Sequence, residues 1–300
     1  MPEPLKTVRE LIALTSDWFA ARGVDAPRLN AERLLGEVLG LSRIDLYLNH
    51  DRPVTPEELA RYRELVRRRA AGEPLQHLLG EVEFYGRPFK VRPGVFIPRP
   101  ETELLVETAV GLLRDERMSL VSPVALEIGC GAGVVGVTLA LEVPRLRVWC
   151  SDVNEAAVAL TRRNARRLGA ASRLTAAAGE LDTPFPRELR GKADLLVSNP
   201  PYVRSGEIPG LQREVRDHDP HTALDGGEDG LRFYRAIASR LERWLRPGGG
   251  VAVEIGADQA EAVCGILAAA GVREPQVRRD YSDRPRIVWG RLDGPAGGEA

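Results

Sequence analysis

The sequence predicts an α/β protein in which a mostly parallel sheet, covered by helices on both faces, follows a small helical domain and a β-hairpin. Three observations carry this. From about residue 121 onward, apolar strand-length runs alternate with helical segments. Residues 1–78 show only helical periodicity. Between them, Gly80 to Pro100 sets Val82, Phe84, Phe89, Val91, Val95 and Ile97 among Gly86, Pro88, Pro93 and Pro98, the pattern of a short hairpin. A chain of 300 residues suits two domains at roughly 100–200 residues each.

Each element follows from local chemistry. Val8, Leu11, Ile12, Trp18 and Phe19 fit one helical face. Ala31, Leu34, Leu35, Val38 and Leu39 repeat that spacing. Thr55-Pro56-Glu57-Glu58 is a helix start: Thr caps, Pro takes the first helical position and Glu58 completes a capping box. Leu59, Tyr62, Leu65 and Val66 continue the apolar face to Arg67, Arg68 and Arg69. These three arginines read either as a solvated helix end or as a contact for an acidic partner or RNA. Pro98-Arg99-Pro100 stiffens the exit from the hairpin, and Thr102 and Glu103 open a helix through Leu113. Strands are predicted at Val124–Ile128, Arg147–Ser151, Leu195–Ser198, Gly250–Glu254 and Arg286–Gly290. Helices are predicted at Glu155–Leu168, Leu231–Leu245 and Gln259–Ala270. The expected boundaries are 1–78 for the helical domain, 79–100 for the hairpin linker, 101–292 for the α/β domain and 293–300 for a disordered Gly- and Ala-rich tail.

Composition narrows the function. The chain is 43% hydrophobic and 28% charged, as in ordinary globular proteins, and its formal net charge is −1. A dedicated duplex binder carries a basic excess, so no stable nucleic-acid partner is expected. Cys130, Cys150 and Cys264 show no metal-ligand spacing and read as reduced thiols. With no signal-peptide pattern at Met1–Glu10 and no apolar run of membrane-spanning length, the expectation is a cytoplasmic protein without a membrane partner.

Two motifs carry the chemistry. The first predicted strand ends in Glu127-Ile128-Gly129-Cys130-Gly131-Ala132-Gly133, followed by Val134-Val135-Gly136. Glycines there allow a sharp strand-to-helix turn and close approach of a ligand to the main chain. Nineteen residues after Gly133, Asp152 ends the second strand, where a carboxylate can accept hydrogen bonds from both ribose hydroxyls. The loop alone fits a methyl donor, a dinucleotide or a ligand-free turn, since Gly131–Gly136 also satisfies GxGxxG. The second motif decides. After the apolar strand comes Asn199-Pro200-Pro201-Tyr202, which no strand can continue. The Asn199 side-chain oxygen and the Pro200 backbone carbonyl make two acceptors for a substrate NH2, and Tyr202 offers a flat face to a planar amide or base. Holding both hydrogens turns the nitrogen lone pair toward a donor methyl. The sulfonium of S-adenosylmethionine is already a strong methyl donor, leaving S-adenosylhomocysteine, so the chain must mainly align the atoms. No metal is required; His50, His77, His218 and His221 show no metal spacing and read as structural or surface residues.

Here the chain resembles the HemK/PrmC family of protein N5-glutamine methyltransferases. The resemblance runs through Gly72–Gly80, Phe96–Glu103 (Phe-Ile-Pro-Arg-Pro-Glu-Thr-Glu), the glycine loop, Asn199–Tyr202 and Ala223–Leu231. It implies a class I S-adenosylmethionine-dependent methyltransferase domain, Rossmann-like with seven strands, the last antiparallel to the others, and an N-terminal helical domain that recognises the substrate. The substrate it implies is the Gln of the Gly-Gly-Gln loop of class I peptide chain release factors. By position, Gly129, Cys130, Gly131, Ala132, Gly133 and Asp152 match the family's cofactor residues, joined by Glu180, Leu181 and Asn199. Asn199, Pro200, Pro201 and Tyr202 match its glutamine site, with Asn199, Pro200 and Tyr202 as the catalytic set. The chain departs from the family pattern in Gly179-Glu180-Leu181-Asp182, where Asp and an aromatic are usual, in Glu127 for Asp, and in Asp219-Pro220 for Glu-Pro.

The main alternative is adenine-N6 methylation of DNA or RNA, because Asn-Pro-Pro-Tyr is shared with those enzymes. It would call for a basic target-recognition region and a flipped-base pocket. A non-catalytic assembly protein would call for an altered Asn199 or a filled glycine loop, and neither occurs. A nicotinamide oxidoreductase is distinguished by its bound cofactor.

Overall fold

The computed structural model describes residues 5–114 and 122–293; the expected disordered tail lies, apart from residue 293, outside the described residues. The chain forms two compact units, one of Met1–Glu81 with Arg213–His218, the other of Val82–Gln212 with Asp219–Ala300.

The first unit contains helices α1 (Val8–Ala20), α2 (Pro27–Leu39), α3 (Arg43–Leu48), α4 (Pro56–Ala70) and α5 (Leu75–Leu79). Thr7, Ser42 and Thr55 each cap their helix with a complete capping box. Val8, Leu11, Phe19, Leu34, Leu35, Leu46 and Tyr62 meet in one apolar cluster. Among the three arginines at the end of α4, Arg67 and Arg68 pair with Glu64 and Glu73. Arg69 departs from a solvated helix end: it is buried, its Nε donating to Asn30 Oδ1 at 2.7 Å and its guanidinium pairing with Glu214 at 2.8 Å.

The second unit begins with strands β1 (Glu81–Phe84) and β2 (Arg87–Lys90), which pair with each other. Helix α6 (Glu103–Arg114) follows. Then come β3 (Val124–Ile128), α7 (Val134–Glu142), β4 (Arg147–Asp152), α8 (Glu155–Leu168), β5 (Leu174–Ala178) and β6 (Ala193–Ser198). Helix α9 (Arg213–His218) belongs to the first unit. The second resumes with α10 (His221–Leu224), α11 (Arg232–Ala238), α12 (Leu241–Trp244), β7 (Leu245–Glu254), α13 (Ala260–Ala269), β8 (Val272–Arg279) and β9 (Pro285–Leu292). The seven-stranded sheet has the order β5-β4-β3-β6-β7-β9-β8. Pairings from β5 to β7 are parallel, and β9 is antiparallel to both neighbours.

Both sheet faces are covered, and alternation along the strands assigns the residues. Ala125, Leu195, Val197 and Ala252 join Leu105, Val135 and Val158 on one face; Leu126, Leu196, Val251 and Val253 join Tyr234, Ile237, Trp244 and Val263 on the other. The hairpin packs into the first of these layers through Phe84 and Phe89, whose rings meet edge to face. Asn164 on α8 secures it, accepting from Lys90 N and donating to Lys90 O, both at 3.0 Å.

Two strands escape the residue-level pattern. Leu174–Ala178 is mostly alanine, which favours helix over strand. Val272–Arg279 is an edge strand with a mostly exposed polar surface and a register shift between Arg273 and Gln276. The helix expected over Leu231–Leu245 is two short helices, and β7 starts already at Leu245.

Candidate active site

The parallel register places the motif residues side by side. Ile128 pairs with Ser151 and with Ser198, Asp152 pairs with Ala178, and Ser198 pairs with Val253. The residues that follow, Gly129, Asp152, Gly179-Glu180, Asn199 and Glu254, therefore line up along the carboxyl ends of the strands, where open α/β sheets bind ligands.

At one end of this row the glycine loop is held by its own main chain. Gly129 N and Cys130 N both donate to Ser151 O, at 2.8 and 3.0 Å. Gly129, Gly131 and Gly133 have φ of +76°, +53° and +80°, a region costly for residues with a Cβ. Gly133 also needs its bareness for packing, since a Cβ would come within 2.8 Å of the Thr161 side chain. At Gly131 a Cβ would meet nothing within 4 Å, so the turn opens onto space there. Asp152 Oδ2 accepts from Gly131 N and Oδ1 from Asn154 N, both at 2.9 Å. Burial raises the Asp152 carboxyl above its ordinary value, and those two amides oppose the shift. Each oxygen keeps a lone pair for a further donor. Open space over Gly131 beside an acceptor carboxylate fits the ribose and the chain of a nucleoside cofactor.

Cys130 and Cys150 are buried, and burial pushes both thiols well up, so they pack rather than react. Thr161 Oγ1 donates to Gly131 O at 3.1 Å, and Asn164 donates to Ala132 O at 2.8 Å. Glu127 is fully buried and accepts from Gly136 N and Cys150 Sγ, each at 3.1 Å; burial pushes it up to about 8. Glu180 is exposed beyond β5, whereas Leu181, with φ of +50°, packs against the apolar layer of Leu126 and Trp244. The adjacent Asp182 is buried and structural, accepting from Arg240 and from Trp244 Nε1.

At the other end, side chains from remote segments hold Asn199–Tyr202. Asn199 Nδ2 donates to Thr102 Oγ1 at 3.2 Å, and Thr102 Oγ1 donates to the buried Glu254 at 2.7 Å. Gln259, also buried, donates to Tyr202 O at 2.9 Å and accepts from Gly256 N. Val203 N donates to Leu224 O, and Gly226 N donates back to Val203 O. Gly226 lies so close that a Cβ would come within 2.8 Å of Tyr202 Cα. The Ala223–Leu231 motif is thus the buttress of Asn199–Tyr202. Arg99 pairs with Asp219, which also accepts from Ile97 N, tying the Pro-Arg-Pro segment in place. Thr102 and Gly226 lie within the Phe96–Glu103 and Ala223–Leu231 motifs, whereas Glu254 and Gln259 are the supporting residues that motif reading does not single out. Among the described residues there is no His/Cys/Asp/Glu group placed to hold a metal ion, and no helix is long and apolar enough to cross a membrane.

Residues 10–80 match the model of the PrmC N-terminal domain, and residues 89–214 that of the methyltransferase small domain. The release factor glutamine methyltransferase of Geobacter sulfurreducens is 42% identical over 286 residues, covering 95% of this chain and 97% of that protein. The chain belongs to the release factor glutamine methyltransferase family. The protein of that name from Chlorobaculum tepidum is 42% identical over 95% of this chain and 98% of its own length, and that from Streptomyces coelicolor 39% identical over 93% and 96%. The fold is that of class I S-adenosylmethionine-dependent methyltransferases. Among solved structures, the hMettl16 catalytic domain, determined in complex with the MAT2A 3'UTR hairpin 6, shares this fold at a TM-score of 0.51 and 14% identity, covering 80% of this chain and 85% of that one.

Proposed function

We propose that this family member transfers a methyl group from S-adenosylmethionine to the side-chain amide nitrogen of the glutamine in the Gly-Gly-Gln motif of class I peptide chain release factors. The observation that carries the reading is the orientation of Asn199. With its NH2 donating to Thr102, its carbonyl oxygen is left as an acceptor for one hydrogen of a substrate NH2, and the Pro200 carbonyl takes the other. An amide nitrogen is a poor nucleophile because its lone pair is delocalised. Holding both hydrogens in one plane fixes the nitrogen with its lone pair toward the neighbouring strand ends. When bound, S-adenosylmethionine would supply an electrophilic methyl on a sulfonium; as the N–C bond forms the C–S bond breaks, leaving S-adenosylhomocysteine, and the nitrogen then releases one of its two hydrogens as a proton to solvent. Gly129–Gly133 receives that cofactor against bare backbone, Asp152 accepts its ribose hydroxyls, and Glu180 accepts from the adenine amino group. Tyr202 packs beside the planar amide; burial pushes its hydroxyl up to about 12, so it stays neutral. The first unit serves to recognise the release factor, as its match to the PrmC N-terminal domain supports.

The test is incubation of a class I release factor with the protein and isotopically labelled S-adenosylmethionine. Label is expected in wild-type release factor and absent from one whose Gly-Gly-Gln glutamine is replaced by alanine. Equal labelling of both would exclude this substrate atom.

A further inference from the structure

Thr102 and Glu254 lie about 100 and 55 residues from Asn199 in sequence, yet the three form one hydrogen-bonded cluster, Asn199 Nδ2 to Thr102 Oγ1 at 3.2 Å and Thr102 Oγ1 to Glu254 Oε2 at 2.7 Å, with the Asn199 side chain also turned to the Glu254 carboxyl itself. Thr102 and Glu254 are each 2% exposed. A buried carboxylate costs free energy that an apolar residue would not, so its presence next to the acceptor residue needs a reason.

Polarity supplies one. A carboxylate can only accept, so the Thr102 hydroxyl must give it its single proton. That leaves only lone pairs on Thr102 Oγ1, which can be met by the NH2 of Asn199 and not by its carbonyl. The amide of Asn199 is thereby fixed with its oxygen outward. Without that charge the order can reverse: a protonated or amide side chain at 254 can donate to Thr102, which then donates to Asn199 Oδ1 and turns the NH2 outward. An outward NH2 would face the NH2 of the acceptor, donor against donor.

We propose that Glu254, directly and through Thr102, is a positioning residue that sets the amide polarity of Asn199 and so makes it an acceptor for the substrate NH2. The proposal rests on the role of Asn199 given above. The carboxyl of Glu254 is faced by Thr102 and Glu101 from the turn before α6, by Asn199 and Tyr202 after β6, and by Arg286 on β9, which Asp280 Oδ2 holds at 2.8 Å. Tyr234 on α11 donates to its backbone carbonyl. Burial and Glu101 push the carboxyl up; Thr102, Arg286 and Asn199 oppose this, leaving it at about 7. The relay is therefore intact above that pH and lost as pH falls through it.

The experiment is the pH profile of kcat on a release factor, with S-adenosylmethionine isotherms and thermal melts for each variant. Wild type is expected to lose rate on the acid side with a midpoint near 7. Glu254→Gln should lower kcat by about 10- to 100-fold, the scale of a misaligned reacting group, and remove that acid limb. Cofactor affinity and KM should stay near wild type. Thr102→Val should match it, and Thr102→Ser, which keeps the hydroxyl, should recover most of the rate. Wild-type kcat in both Glu254→Gln and Thr102→Val, an acid limb that persists in Glu254→Gln, or a rate loss that tracks cofactor affinity would overturn the relay. Asn199→Ala separates the two claims. If it is slow while the relay variants are fast, the relay alone falls; if it too transfers at the wild-type rate, the acceptor role of Asn199 falls with it.

Discussion

The two ends of the strand-end row are built in opposite ways. The glycine loop and Asp152 are held by nearby main-chain hydrogen bonds, and the loop owes its shape to three positive φ angles. Asn199–Tyr202 has little local support. It is held by Thr102, Glu254, Gln259 and Gly226, drawn from a turn, a strand end, a helix start and a distant loop. A cofactor common to many enzymes can be received by backbone that needs only small residues. An acceptor that must meet one nitrogen in one orientation needs side chains fixed from several directions.

The comparison can be broken or sharpened by substitution. The largest effect is expected at Asn199. Asn199→Ala should slow single-turnover methyl transfer by about 100- to 1000-fold, the loss typical of one aligned polar contact, with little change in cofactor affinity; a wild-type rate would reduce the motif to a turn. Asp152→Ala should weaken S-adenosylmethionine binding by about 1.5–3 kcal/mol, the range for hydrogen bonds to a charged group, measured by calorimetry. Gly226→Ala forces a Cβ onto Tyr202 Cα and should cost about 1–3 kcal/mol of stability by overpacking. Denaturant midpoints report that cost.

A smaller effect concerns pH. Burial raises Glu127 from 4.5 to about 8, so the folded protein holds that proton more tightly than the unfolded chain. Its contribution to stability is fully present below about 4.5 and is lost as pH rises through about 8. Glu127→Gln, which cannot ionise, should therefore gain melting temperature relative to wild type between pH 6 and pH 9. A constant difference across that range would place the carboxylate in a better-solvated setting. The smallest effect is expected at Arg67, whose pair with Glu64 is exposed on both sides. Arg67→Ala should change stability by less than about 0.5 kcal/mol in the same denaturant titrations, against a clear loss for the buried Arg69→Ala.

The same contrast explains how much could be read from the chain before its structure. The glycine loop, Asp152 and the Thr55 capping box are signals written within a few residues, and the structure forms the loop, the cap and the strand end where local reading expects them. Asn199–Tyr202 was legible as a motif because two prolines ending a strand are unusual. The way its supports converge was not, because Thr102, in the turn before α6, and Glu254, at the end of β7, meet Asn199 only once the chain is folded. Arg69 looks like the third member of a basic run, and only packing against Asn30 and Glu214 shows that it is interior. β5 and β8 were hidden for a related reason, one being alanine-rich and the other an exposed edge, so neither carries the apolar run that marks its neighbours.

The division of labour between the two ends is tested most directly by single-turnover transfer to a release factor at rising S-adenosylmethionine, with Asp152→Ala and Asn199→Ala side by side. If Asp152 acts through binding alone and Asn199 through alignment alone, the Asp152→Ala rate climbs to near wild type at saturation, while Asn199→Ala stays about 100-fold or more below it at every concentration. Rescue of Asn199→Ala by excess cofactor, or an Asp152→Ala rate that stays low at saturation, would contradict the account.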